Sequence, residues 1–225
     1  MRPGDPFDAL GWHRRARRVR SPNFDARPAG AAPVLLVVHH ISLPAGRFSG
    51  DAIERLFTNR LEESDHPTFA GLGALRVSSH FLIRRRGELI QFVSCDDRAW
   101  HAGASCFQGR ERCNDFSIGV ELEGTGERRY TDAQYRVLAS LTRALAARWP
   151  LAHLAGHSDV APGRKTDPGP SFDWKRYESM LQAAGFRGRF ARRPARRRDA
   201  RERSAAPCGP RGRLGPPSCA VARSG

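Results

Sequence analysis

APVLLVVHH, residues 32–40, is the segment from which the architecture follows. Val34, Leu35, Leu36, Val37 and Val38 form an unbroken apolar run of strand length. A run without polar alternation marks a strand covered on both faces. Such a strand belongs in the middle of a sheet, with further layers above and below. Downstream, residues 81–83 and 88–93 bracket Arg86-Gly87 and predict a hairpin. Residues 117–123 alternate, with Ile118, Val120 and Leu122 on one face and Gly119, Glu121 and Glu123 on the other. Thr131 and Gln134 have the spacing of a capping box. The helix they open carries Tyr135, Leu138, Leu141, Leu145 and Trp149 along one stripe and stops at Pro150. A last helix is expected over residues 173–184, with Gly185 just past its end. Strands and helices interleaved in this way predict an α/β fold: a single domain with a central mixed β-sheet flanked by helices.

The 225 residues suit one domain. At 40% hydrophobic the chain can bury a core, which excludes a wholly disordered protein. The longest apolar run, residues 31–38, is far short of the roughly 20 residues that cross a bilayer. Asp5, Pro6 and Asp8 stand where a signal peptide needs apolar residues, so a cytoplasmic location is expected. None of the five cysteines forms a C-x-x-C pair, and free thiols are the expectation. The net charge of +15 is unevenly placed. Twelve arginines lie from Arg187 onward, against only Asp199 and Glu202. Residues 1–187 therefore read as the folded domain and 188–225 as a disordered basic tail, too poor in bulky apolar groups to offset its chain entropy. A polycationic tail could bind nucleic acid. The tail has no interleaved aromatics for base stacking, so a solvated extension is the preferred reading and no nucleic-acid or membrane partner is expected.

Among the eight histidines, His13, His66 and His153 read as surface or loop residues. His39 follows the buried strand, and His157 follows the apolar stretch 151–156. Both stand at strand ends, where rigid backbone aims side chains. His157 leads into SDVAPGRKTDPGP, residues 158–170, whose prolines and glycines predict a shaped loop carrying Lys165 and Asp167. Two histidines and a carboxylate suit catalytic zinc, with a fourth position left open. The alternative is two satisfied core histidines and a turn aspartate. If a metal is bound, Glu121 or Glu123 could take a proton, and Lys165 could steady a developing oxyanion. That combination describes hydrolysis of an amide or ester.

Four stretches carry a family resemblance: VVHHISLPAG (37–46), LRVSSHFLIRRRGELIQFV (75–93), RAWHAGASCFQGRERCNDFSIGVELEG (98–124) and AGHSDVAPGRKTDPGPSFDW (155–174). Across some 160 residues the chain resembles the N-acetylmuramoyl-L-alanine amidases of the AmpD type, relatives of a bacteriophage lysozyme and the peptidoglycan recognition proteins. The resemblance implies zinc (Zn2+) held by His39, His157 and Asp167. It implies Glu121, rather than Glu123, as the catalytic carboxylate and Lys165 as the transition-state cation. The implied substrate is an anhydromuropeptide from cell-wall recycling, cut between the lactyl group of 1,6-anhydro-N-acetylmuramic acid and L-alanine by a monomer. Arg76 and Arg112 fall where the family can hold peptide carboxylates, and Trp100 and His101 fall near its substrate cleft. His40 stands where close relatives usually have asparagine, and an imidazole cannot offer both a carbonyl oxygen and an amide NH₂. A peptidoglycan-binding module without catalysis would lack a ligand, yet all three ligand positions are filled.

Overall fold

The computed structural model describes residues 4–191. Seven strands form the main sheet: β1 (Arg17–Arg18), β2 (Leu35–Ile41), β3 (Phe81–Ile83), β4 (Leu89–Gln91), β5 (Ser117–Glu123), β6 (His153–Gly156) and β7 (Arg189–Phe190). Their order is β1-β4-β3-β5-β2-β6-β7. Only β3 and β4 are antiparallel, joined by the expected hairpin with Gly87 at φ +86°; the other pairs are parallel, so the sheet is mixed.

Four helices flank the sheet: α1 (Ala52–Phe57), α2 (Asp132–Arg148), α3 (His157–Val160) and α4 (Trp174–Ala183). Leu36, Val38, Ile118, Val120 and Leu122 meet Leu138, Leu141 and Leu145 of α2 and Tyr177 and Leu181 of α4 on one face. Leu35 and Val37 point the other way, towards Phe116 and Val160, and Leu82 and Ile90 pack against α1. That two-sided burial is why residues 34–38 have no polar alternation. It also fixes His39: by period-two alternation it shares the face of Leu35 and Val37, away from α2.

Helix α2 begins as its sequence dictates. The Thr131 hydroxyl accepts from the Gln134 N–H at 3.2 Å, and the Gln134 side chain accepts from the Thr131 N–H at 3.1 Å. Thr131→Ala should cost about 1 kcal/mol, read as a lower midpoint in thermal unfolding.

Three details differ from the sequence reading. His13 is buried rather than at the surface: its ring packs edge-on against Phe7, and its N–H donates to Gln91 at 2.6 Å. His153 is a strand residue, packed beside Phe107. Order also continues past Arg187. Strand β7 pairs with His153 and Leu154, and Phe190 lies against Trp174 and Tyr177, an apolar anchor that the arginine-rich composition obscures. The rest of the expected tail, residues 192–225, lies outside the described residues. No helix among the described residues is long and apolar enough to cross a membrane.

Candidate active site

Strand β2 delivers His39, and β6 ends at Gly156 so that His157 opens α3 immediately afterwards. The loop beyond α3 turns back and is tied down at Asp167, whose carbonyl accepts from the Ser158 N–H at 2.9 Å. A Cβ on Gly156 would stand 2.7 Å from the Pro168 ring, so glycine there lets the loop close over the strand end. His39 Nδ1, His157 Nδ1 and one Asp167 oxygen consequently form a nearly equilateral triangle. The sides are 3.0 Å between the imidazoles, 3.1 Å from His39 to Asp167 and 3.0 Å from His157 to Asp167. All three residues are buried.

This donor set fits a divalent cation. His157 Nε2 lies 3.2 Å from the Ala102 carbonyl, which can only accept, so Nε2 carries the proton and Nδ1 offers its lone pair to the triangle. Burial foremost, against the pull of Asp167, lowers His39 to about 4, so that ring is neutral at pH 7. Two imidazoles and a carboxylate suit zinc. Tetrahedral bonds of about 2.0–2.1 Å would set the ligand atoms roughly 3.3 Å apart, only slightly wider than the triangle here. The sequence reading of a ligand trio therefore has its counterpart in space, although His39 and Asp167 are far apart in the chain.

Strand register places the carboxylates. His39 on β2 pairs with Glu121 on β5, and Glu121 shares the face of Ser117, Gly119 and Glu123. Glu123 is already engaged. Its oxygens accept from the Arg84 guanidinium at 2.9 Å and the Arg85 N–H at 3.0 Å. Glu121 is buried with Oε2 unpartnered. Burial first, and the neighbouring Asp167 charge second, push its carboxyl well above the ordinary range, opposed by Lys165. A buried, poorly satisfied carboxylate of raised proton affinity is suited to moving protons. Alternation alone left Glu121 and Glu123 open, and their surroundings differ: Glu123 is held by Arg84 and Arg85, whereas Glu121 Oε2 has no partner.

Lys165 is exposed on the loop, close enough for its charge to act on both Glu121 and His39. Arg76 is exposed, its guanidinium donating to the Gly73 and Leu75 carbonyls. Arg112, also exposed, adopts left-handed backbone at φ +62° and contacts Asp115 at 3.3 Å. Trp100 is half-buried, its indole N–H donating to Asp25 at 3.2 Å. His40 faces away from the trio and packs near Gly126. The ring of His101 stands beside His39, with Nδ1 2.9 Å from His39 Nε2.

Three supporting residues are invisible to motif reasoning. His80 is fully buried, and its Nδ1 accepts from the Gly119 N–H at 3.0 Å. Arg27 donates to the Asn114, Asp115 and Ser117 carbonyls, bracing the entry to β5. The Asn114 carboxamide oxygen accepts from the His101 and Ala102 N–H groups at 3.1 and 2.8 Å and so fixes the loop that faces His39 and His157. No local pattern distinguishes them, because their partners are backbone groups remote in sequence.

The Amidase_2 family, described as N-acetylmuramoyl-L-alanine amidase, matches residues 29–170, a span that includes His39, Glu121, His157 and Asp167. The 1,6-anhydro-N-acetylmuramyl-L-alanine amidase AmpD of Citrobacter freundii is 58% identical over 173 residues, spanning 76% of this chain and 92% of the relative. The Escherichia coli protein of the same name is 57% identical over 173 residues, spanning 76% of this chain and 94% of the relative. A crystal structure of a selenomethionine AmpD derivative superposes with a TM-score of 0.76 at 58% identity, covering 78% of this chain and 98% of that one. The chain belongs to the N-acetylmuramoyl-L-alanine amidase family, and within it is an enzyme of the AmpD type.

Proposed function

We propose that the chain is a zinc-dependent hydrolase of anhydromuropeptides. It cleaves the amide between the lactyl group of 1,6-anhydro-N-acetylmuramic acid and L-alanine, in the recycling of cell-wall fragments in the cytoplasm. The observation that carries this reading is the convergence of His39, His157 and Asp167 opposite the unpartnered, buried carboxylate of Glu121. The relatives named for the same activity support it.

His39, His157 and Asp167 would hold the ion, which when bound would supply Lewis acidity for a carbonyl oxygen and for water. Glu121 accepts the proton of a water molecule as that oxygen attacks the lactyl carbonyl carbon. Lys165 places its ammonium near the oxyanion that develops there. As the carbon–nitrogen bond breaks, Glu121 returns the proton to the alanine nitrogen, since an amide anion is too basic to leave unprotonated. Arg76 and Arg112, both exposed, are suited to pair with carboxylates of the stem peptide. Trp100 and His101, the latter beside His39, are the further residues proposed to lie near the substrate.

Incubation with a purified anhydromuropeptide in heavy-oxygen water should release a peptide with a free L-alanine amine. The label should appear in the lactyl carboxylate, read by mass spectrometry. An intact substrate, or cleavage at another bond, would refute the assignment.

A further inference from the structure

Three further features invite function. The aromatic groove lined by Tyr130, Tyr135, Phe172, Trp174 and Phe190 has nothing to indicate its occupant. The buried thiols Cys95 and Cys113 are free, and each is a lone cysteine with nothing to indicate a ligand. The ring of His101 is different, because it belongs to a continuous chain of hydrogen bonds whose direction can be deduced.

The chain ends on a backbone carbonyl. Ser117 Oγ lies 2.6 Å from the Cys113 carbonyl oxygen, which can only accept, so the hydroxyl proton points there. Ser117 Oγ also lies 3.1 Å from His101 Nε2. With its proton already committed, the hydroxyl must accept, and Nε2 of His101 must carry a hydrogen. A neutral imidazole has one N–H and one lone pair, so His101 Nδ1 presents the lone pair. That atom is 2.9 Å from His39 Nε2, which must therefore donate. The remaining nitrogen of His39, Nδ1, is left as a bare lone pair aimed at His157 and Asp167. One carbonyl thus dictates, through two side chains, the tautomer of a metal ligand.

The backbone is shaped to seat this ring. A Cβ on Gly119 would lie 2.5 Å from His101 Cγ, so the imidazole occupies the space a side chain on β5 would fill. Ser117, Gly119 and Glu121 lie on one face of β5. That single face anchors the ring, seats it and presents the carboxylate. Asn114 fixes the backbone of His101 from the other side.

We propose that His101 is a positioning residue. With Ser117 and Gly119 it locks His39 in the tautomer whose Nδ1 can bind the metal, and it does not act by contacting substrate. The inference rests on the metal-binding reading above. Supporting groups of this kind are worth about 10–100-fold in metal affinity when removed.

The test is zinc affinity of the purified full chain, measured by competition with a chromogenic chelator. It is accompanied by the visible spectrum of the cobalt-substituted protein and by KM and kcat on an anhydromuropeptide at saturating zinc. His101→Leu removes the acceptor and should bind zinc about 10–100-fold more weakly. His101→Asn keeps an acceptor oxygen near the Nδ1 position and should recover most of that affinity. Ser117→Ala, remote from substrate and ion, should weaken zinc binding and alter the cobalt spectrum while leaving KM unchanged. Gly119→Ala should resemble His101→Leu by displacing the ring. Circular dichroism identifies any variant that fails to fold, and Ser117→Ala and His101→Asn make the least disturbance. Wild-type zinc affinity in His101→Leu and Ser117→Ala, or a rise in KM alone, overturns the inference while the metal site stands. Failure of the wild-type chain to bind zinc overturns the underlying reading itself.

Discussion

His157→Ala is expected to purify without stoichiometric zinc and without amidase activity, while keeping its fold. His157 supplies one corner of a triangle whose sides are 3.0 and 3.1 Å, and its Nδ1 lone pair is fixed by the bond from Nε2 to the Ala102 carbonyl. Alanine leaves one imidazole and one carboxylate, fewer than the three protein ligands of a catalytic zinc site. The loss should exceed the roughly 100-fold reached by removing mere supporting residues. The fold survives because the site lies at the strand ends, clear of the core formed by α2, α4 and the centre of the sheet. Elemental analysis of the variant provides the measurement. One zinc per chain in it would show that the ligand set is wrong.

The second large effect concerns Glu121. Glu121→Gln should retain zinc and lose about 10²–10⁴-fold in kcat, the range for removing a positioned general base. The pH dependence carries a sign that can be checked. The carboxyl must be ionised to accept a proton, and burial holds its proton affinity well above the ordinary range. Activity should therefore fall on the acidic side at a pH higher than an ordinary carboxylate would give, and glutamine should remove that limb from any residual rate. Stability should move oppositely. A folded-state pKa raised above the unfolded value means the contribution is fully present below the unfolded pKa and is lost as pH rises through the folded one. Above the raised folded-state pKa the metal-free Glu121→Gln protein should therefore melt above the metal-free wild type, since the variant carries no unfavourable buried charge. Wild-type turnover in this variant, or a lower melting temperature, would show that Glu121 has another role.

Much of the fold was legible because its signals are local. The apolar run at residues 34–38, the Gly87 turn, the Thr131–Gln134 box and the last helix over residues 173–184 each depend on neighbours in sequence, and each has its counterpart in the structure. Strand β7 is hidden because Phe190 is a lone apolar residue among arginines, and its value comes from Trp174 and Tyr177 on helix α4. The burial of His13 is hidden for the same reason, since its ring packs on Phe7 and its backbone N–H donates to the Gln91 side chain, 78 residues away. Residues bearing the chemistry could be nominated from strand ends and loop composition. Their convergence could not, because β2, β6 and the loop at Asp167 meet only once the parallel register is set. The partners that settle roles were out of reach altogether. Arg84 on Glu123, Ser117 on His101 and the Ala102 carbonyl on His157 are side-chain contacts specified by the fold alone.

The central claim is that hydrolysis depends on an ion held by His39, His157 and Asp167. The most direct measurement is turnover of an anhydromuropeptide by the wild-type chain after exhaustive chelation, then after titration with zinc. The account predicts negligible release of peptide from the stripped protein and full recovery at one equivalent. Undiminished hydrolysis by protein shown by elemental analysis to contain no metal would contradict it.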